Sequence, residues 1–194
     1  PVVRALLHWL RSHVLRRNDE GERAASEAVD LARQEPDVAI LAWALIVKSL
    51  SGDDIVVRRA LLDEALALSR SFPSGYSMEG LALIGFSCAA FDAGDVHSAR
   101  RYAADAADYF LRSGLHENLA CWALAIAATC ACLTGDPDGA IACARDGLSL
   151  ARSVGLVSLM NLVQVIASVM MTRGRHSDAA RLIGGSDAAL AKRE

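Results

Sequence analysis

The residues best suited to hold a metal ion are one histidine and four cysteines in the second half of the chain: His116, Cys121, Cys130, Cys132 and Cys143. A zinc site needs thiolates or imidazoles that converge on one point. Cys130 and Cys132 are two residues apart, so on a helix their side chains point about 200° apart. We therefore expect no metal site, and we interpret the cysteines as small apolar residues within helices.

Paired carboxylates are the second set of residues that could do chemistry. They are Asp53 with Asp54, Asp136 with Asp138, and Asp105 with Asp108. Acid–base catalysis needs such groups held in a cleft. The first two pairs lie at predicted helix starts, where aspartate caps free amides and offsets the helix dipole, and the third lies on an outer helix face. We expect no catalytic residue in this chain.

A phosphate-binding loop would require a lysine directly after a glycine. Lys48 and Lys192 are the only lysines, and neither follows a glycine. The chain is therefore predicted to bind no nucleotide or other cofactor and to be no enzyme.

Arginine pairs recur at Arg16–Arg17, Arg58–Arg59 and Arg100–Arg101 and could form a basic stripe. Acidic residues are interspersed, aromatic stacking residues are absent from the pattern, and the net charge is −3. We expect no direct contact with nucleic acid. Arg58–Arg59, Arg100–Arg101, Asp105 and Asp108 are instead predicted to form a solvent-exposed outer surface.

The composition favours helices over strands. The 194 residues are 53% hydrophobic but only 5% aromatic, and alanine and leucine dominate. The apolar stretches Leu119 to Leu133 and Val154 to Met171 are too short or too interrupted for a membrane span. The odd number of cysteines, five, suits reduced thiols. An all-α, cytoplasmic protein that does not enter a membrane is expected.

The helices that carry these candidate residues follow a repeated pattern in the sequence. A helix ends in a turn, and a second helix follows with a small residue about five positions later. The turns are anchored at Asp19, Gly52, Gly94, Gly135 and Gly174, with spacings of 33, 42, 41 and 39 residues. The chain is therefore predicted to be an array of helix pairs with variable linkers.

The turn at Gly135 shows the expected chemistry most clearly. Gly135 supplies a left-handed exit from the first helix, Asp136 caps the second helix, and Pro137 occupies its first position. Ala140 then lets the two helices approach closely. Counting from Gly52 in the same way places Val57 in this small-residue position.

A single pair cannot bury both faces, so the pairs must stack. We predict an all-α, right-handed superhelix (solenoid) of about five antiparallel helix pairs in one domain, 1–194. Since the chain starts at Pro1 without Met, it is expected to be excised from a longer protein. The pairs span about 1–34, 36–72, 77–113, 116–154 and 156–192.

Helix pairs with Gly-Asp turns and a following Ala resemble the tetratricopeptide repeat, although the spacing exceeds its usual 34 residues. The tail from Asp178 to Leu190, with Ala-Ala-Arg-Leu-Ile-Gly-Gly at its centre, resembles a segment of large bacterial ATPase-linked transcriptional regulators of the maltose-regulator-like and LuxR-type kind. This resemblance implies sibling domains in the parent protein: an ATPase module upstream and a DNA-binding helix-turn-helix downstream.

The tetratricopeptide resemblance also implies a concave groove lined by the first helices of successive pairs. Counting back from the turns, we predict that it is apolar with one amide-bearing end, at Asn161 and Gln164. The predicted lining residues are Leu81, Ile84, Cys88, Phe91, Trp122, Ala125, Thr129, Cys132, Asn161, Gln164, Ser168 and Met171.

Three uses of the groove remain open: binding a ligand, packing against another domain, and simple structural filling. The sequence favours a non-catalytic sensing or protein-interaction domain of a transcriptional regulator, which binds a protein, a peptide or a small-molecule effector. The alternative is a free-standing scaffold for a protein or peptide partner. A helical-repeat enzyme is the third possibility.

Overall fold

The computed structural model describes residues 19–71, 77–114, 116–150 and 156–191. Within these ranges the backbone is helical apart from short connections, and none of these residues lies in a β-strand. The all-α prediction is confirmed. The helices are α1 (Asp19–Ala32), α2 (Val38–Ser49), α3 (Ile55–Ser69), α4 (Met78–Asp92), α5 (Val96–Ser113), α6 (Glu117–Leu133), α7 (Pro137–Ser149), α8 (Leu156–Thr172) and α9 (His176–Ala191).

The chain divides into two compact units, Pro1–Gly94 with α1–α4 and Asp95–Glu194 with α5–α9. In the first unit α2 packs against α1, α3 and α4, and α3 packs against α4. In the second unit α6 packs against α5, α7 and α8, and α8 also packs against α7 and α9. The unit boundary at Gly94 falls inside the predicted pair 77–113, and the single-domain division into five pairs stays a prediction.

The turn between α6 and α7 has the predicted chemistry. Gly135 has a φ of 74°, the left-handed region that glycine adopts without strain. Asp136 is the N-cap of α7 and accepts a hydrogen bond of 2.8 Å from the backbone N–H of Gly139. Pro137 is the first residue of the helix. Gly94 and Gly174 repeat the left-handed geometry, with φ values of 79° and 73°.

The connection between α2 and α3 is longer than the turns at Gly94, Gly135 and Gly174. It runs over residues 50–54, against 93–95 between α4 and α5 and 134–136 between α6 and α7. Asp54 caps α3 by accepting from the N–H groups of Val56 and Val57. Because the cap follows Gly52 by two residues instead of one, counting from the glycine misplaces the buried position by one. The assignment of Val57 to the small-residue position is wrong, since Val57 is 49% exposed.

Arg58 occupies that buried position. It is the largest of the fully buried side chains among the described residues, at 1% exposure. Its Nε donates to the carbonyl oxygen of Ser49 at 2.6 Å, and its Nη1 donates to Asp92 Oδ2 at 2.6 Å. Its Nη2 has no hydrogen-bond partner in the described part of the chain. The prediction that Arg58 belongs to the solvent-exposed surface is therefore wrong, whereas Arg59 is exposed as predicted.

Small residues dominate the core of each unit. Ala99, Ala140 and Ala179 follow the three short turns at the predicted spacing, and all are buried. In the second unit α6 is covered by α5, α7 and α8, and nine of its residues are buried. This packing explains why α6 is apolar on almost every side. Across the described residues, no helix is both long and apolar enough to cross a bilayer.

Candidate functional site

A surface groove of about 550 Å³ lies between α6 and α8, both in the second unit. We call it the α6–α8 groove. Its volume is in the range of pockets that hold peptides or small ligands. Its lining residues are Ala125, Ile126, Thr129, Cys132, Leu133, Gln164, Val165, Ser168 and Thr172.

Helix geometry sets the two walls of this groove. Residues four apart lie above one another on one face of a helix. On α6 this face carries Ala125, Thr129 and Leu133, and on α8 it carries Gln164, Ser168 and Thr172. The two walls therefore differ in chemistry, the first mainly apolar and the second polar.

The α6 wall offers a neutral surface. Leu133 is 61% exposed and presents a large apolar side chain to solvent. Thr129 donates its hydroxyl proton to the carbonyl oxygen of Ala125 at 2.9 Å. Burial raises the pKa of the Cys132 thiol, so this group is uncharged at neutral pH.

The α8 wall offers hydrogen-bonding groups. Gln164 and Ser168 are both exposed. Ser168 donates to the carbonyl oxygen of Gln164 at 2.9 Å, and Thr172 donates to that of Val169 at 2.8 Å. Arg173, the first residue after α8, forms an ion pair with Asp138 of α7.

Five of the predicted groove residues come together here: Ala125, Thr129, Cys132, Gln164 and Ser168. Trp122 is half-buried and is not among the lining residues, and Met171 is exposed near the end of α8. The side chain of Asn161 lies outside the described residues. Among the described side chains, Gln164 represents the predicted amide-bearing end of the groove.

The other predicted residues belong to α4 in the first unit. Ile84 is buried at 1% exposure and is not accessible to a partner. Leu81 and Cys88 are half-buried, and Phe91 is exposed. The participation of Leu81, Cys88 and Phe91 in a binding surface stays a prediction.

Four lining residues were missed by counting along the sequence: Ile126, Leu133, Val165 and Thr172. The counting followed one row of positions on each first helix. Extending the row from Ala125 and Thr129 by four residues would have found Leu133, and the same step from Ser168 would have found Thr172.

The described residues contain no group of three or more histidine, cysteine or acidic side chains that could hold a metal ion. The cysteines are free thiols, and Cys121 donates weakly to the carbonyl oxygen of Gly147 at 3.6 Å. Burial raises the pKa of the Cys121 and Cys143 thiols, which disfavours the thiolate that a metal needs.

Comparison with solved structures shows which fold this is. The crystal structure of a kinesin light chain-like protein of Podosopora anserina with nearly identical TPR-like repeats matches with a TM-score of 0.68 and 12% identity, over 100% of this chain and 94% of that one. A single-substitution variant of the same protein matches with a TM-score of 0.69 and 12% identity, over 100% and 95%. The fold is tetratricopeptide-like.

At 12% identity, this similarity concerns the fold alone. In the comparisons by sequence, no protein family and no curated protein matches the chain.

Proposed function

We propose that this chain is a non-catalytic interaction domain that holds a protein or peptide partner in the α6–α8 groove. The observation that carries the proposal is the pairing of the exposed Leu133 and the half-buried Ile126 on α6 with a polar row on α8. Apolar surface supplies binding free energy, and a few placed polar groups orient the ligand. The partner is expected to bury Leu133, whose exposure in the unbound chain is costly.

A photo-crosslinking residue placed at Leu133 tests this proposal. Leu111 is the matched control, because it is also an exposed leucine of the second unit but lies on α5, outside the groove lining. We expect one partner polypeptide to be crosslinked from position 133 and not from position 111. Equal crosslinking from both positions would show that the groove is not the binding surface.

We further propose that the parent protein is a cytoplasmic, ATPase-linked transcriptional regulator. Support comes from the resemblance of the tail from Asp178 to Leu190. In this proposal, a bound partner or effector changes how the repeat domain docks on the upstream ATPase module, which requires different affinities for two arrangements. The DNA-binding helix-turn-helix lies in the downstream sibling domain.

The ATPase rate of the full-length protein tests the regulator proposal. Gln164→Ala combined with Ser168→Ala should change the partner's effect on that rate. Leu111→Ala, outside the groove lining, serves as the control. An ATPase rate that is identical in all three proteins, with and without partner, would favour the free-standing scaffold.

A further inference from the structure

The start of α4 lacks the capping carboxylate that is present at the starts of α2 and α3. Asp37 and Asp54 precede those two helices, and each accepts from the backbone N–H groups of the first turn. The residue before α4 is Ser77, whose φ of 54° lies in the left-handed region. A side chain caps a helix from an extended backbone, so Ser77 makes no capping hydrogen bond.

The first-turn amides of α4 therefore keep their hydrogen-bonding capacity. The first bond within this helix runs from the N–H of Leu81 to the carbonyl oxygen of Ser77, at 3.1 Å. The N–H groups of Met78, Glu79 and Gly80 precede it, and none of them donates to an acceptor in the described residues. Such N–H groups point out of the helix start and carry the positive end of its dipole, which favours an anion.

The hydroxyl of Ser77 is a second, independent donor at the same place. Ser77 is only 4% exposed, and its buried Oγ has no hydrogen-bond partner in the part of the chain that the structure describes. A buried hydroxyl without a partner is unfavourable, so this group indicates a missing acceptor. α6 also starts without a capping side chain, but its N-cap residue, His116, is only half-buried and remains accessible to water.

A cation lies at the same end of α4. Arg58 near the start of α3 bonds to Asp92 at the end of α4, and farther along α3 Leu62 lies against Gly85. These two contacts show that α3 and α4 run antiparallel. Counting eight residues onward from Leu62 and eight back from Gly85 therefore brings Arg70, the C-cap of α3, level with the residue that precedes α4. Arg70 is exposed and forms no ion pair within the described residues.

We propose that the start of α4 binds a small, free oxyanion of the phosphate type. The N–H groups of Glu79 and Gly80 and the hydroxyl of Ser77 donate to its oxygen atoms, and Arg70 offsets its charge. The enclosure of Ser77 favours a free ion over a phosphate carried by a larger molecule. The carboxylate of Glu79 is exposed and opposes binding, but solvent screens it. The site belongs to the first unit and does not depend on the proposed function.

Proton–nitrogen correlation NMR of the labelled full chain tests this site. Inorganic phosphate is titrated at neutral pH, with sodium chloride of equal ionic strength as the reference. The amide signals of Glu79 and Gly80 should shift with phosphate and saturate. The amides of Val56 and Val57 are the internal control, because Asp54 already accepts from them. Phenyl phosphate, in which the phosphate is attached to a bulky group, should leave all these signals in place.

Four variants test the separate contributions. Ser77→Gly removes the hydroxyl, and glycine adopts a positive φ without strain, so the fold is retained while phosphate binding weakens at least about tenfold. Arg70→Gln should weaken binding about twofold to fivefold. Arg59→Gln is its matched control, because Arg59 is an exposed arginine of the same helix region but lies near the other end of α3. Glu79→Gln should strengthen binding about twofold, since it removes a like charge. Circular dichroism establishes that each variant is folded.

Several results would overturn the proposal. Signals of Glu79 and Gly80 that do not move with phosphate would show that the amides bind no anion. Equal shifts at Val56 and Val57, or equal shifts with sodium chloride, would show general screening and no site. Unchanged affinity in a folded Ser77→Gly variant would remove the hydroxyl from the site. Phenyl phosphate that binds as tightly as inorganic phosphate would contradict the assignment to a free ion.

Discussion

The same position of the repeat carries different residues in α3 of the first unit and in α5 of the second unit. That position is the fourth residue after the N-cap, Arg58 in α3 and Ala99 in α5. Both side chains are buried. One position of the repeat therefore accepts either a small apolar side chain or a buried cation.

The residue at a second position, near the end of the first helix of each pair, also differs between the two units. Two residues before the turn glycine, α4 has Asp92 and α6 has Leu133. Asp92 accepts from Arg58, whereas Leu133 is exposed and lines the α6–α8 groove. The residues at these two positions thus differ between the units: one unit has an ion pair between neighbouring helix pairs, and the other has an exposed leucine beside a groove.

The strongest test of this comparison is to replace Ala99 by arginine. Ala99→Arg would put a cation at a fully buried position, and Leu133, at the sequence position that corresponds to Asp92, offers it no carboxylate. We expect the free energy of unfolding of the second unit to fall by about 4 kcal/mol or more. Chemical denaturation combined with hydrogen exchange that resolves the two units measures this. Ala104→Arg, at an exposed position of α5, should change it by less than about 0.5 kcal/mol.

The next effect concerns the ion pair itself. Asp92→Ala leaves the buried guanidinium of Arg58 without its carboxylate. Because the side chain of Asp92 is 35% exposed, we expect a loss of about 2–4 kcal/mol in the unfolding free energy, toward the lower end of the range for buried pairs. The double variant Arg58→Met, Asp92→Ala should recover most of it, since no buried charge remains.

The control for that experiment is the ion pair between Arg100 and Asp136, at 2.6 Å, which is much more exposed on the arginine side. Arg100→Ala should cost at most about 1 kcal/mol. A loss for Asp92→Ala no greater than that for Arg100→Ala would contradict the distinct role assigned to Arg58.

A smaller effect is expected where α3 and α4 approach each other. A methyl group at Gly85 of α4 would overlap Leu62 Cδ2 of α3. Gly85→Ala should therefore destabilise the first unit by about 1–3 kcal/mol in denaturant unfolding. Gly184→Ala in α9 meets nothing within 4 Å and should stabilise the chain by about 0.5–1 kcal/mol. The same sign for both substitutions would contradict close packing at Gly85.

The smallest expected effect is on the stability of the second unit in acid. Hydrogen bonds from Ser98 lower the pKa of Asp95, and those from the Gly139 N–H and from Arg100 lower that of Asp136. A lowered folded-state pKa adds stability that is present above the usual aspartate pKa of about 3.9 and is lost as pH falls through the folded value. In the double variant Asp95→Asn, Asp136→Asn, the melting temperature should therefore fall less steeply as the pH is lowered into the acid range. An unchanged profile below about pH 4 would contradict this assignment.

The helical fold was predictable because local chemistry and packing agree at the short turns. Gly135, Asp136 and Pro137 each favour the same conformation, and Ala140 follows at the spacing that buries it. Arg58 could not be found in this way. A charged residue next to Arg59 is normally solvated, and its burial depends on Ser49 and Asp92, which are distant in sequence.

The candidate site was predictable only in part for a related reason. Ala125, Thr129, Gln164 and Ser168 lie on the predicted helix faces and do line one groove. Trp122 was expected beside them but is half-buried outside the groove lining. Helix periodicity gives the face of each helix. It does not show which part of that face is covered by the neighbouring helix and which part remains accessible.

The longer connection at residues 50–54 has a consequence for how the repeats are aligned with one another. Arg58, Ala99, Ala140 and Ala179 each lie four residues after the residue that precedes their helix: Asp54, Asp95, Asp136 and Arg175. The insertion lies entirely upstream of Asp54. An alignment of these repeats, or a profile built to find others, should therefore align the residue that precedes each second helix and place any gap before it. The turn glycine should not be required at one fixed position.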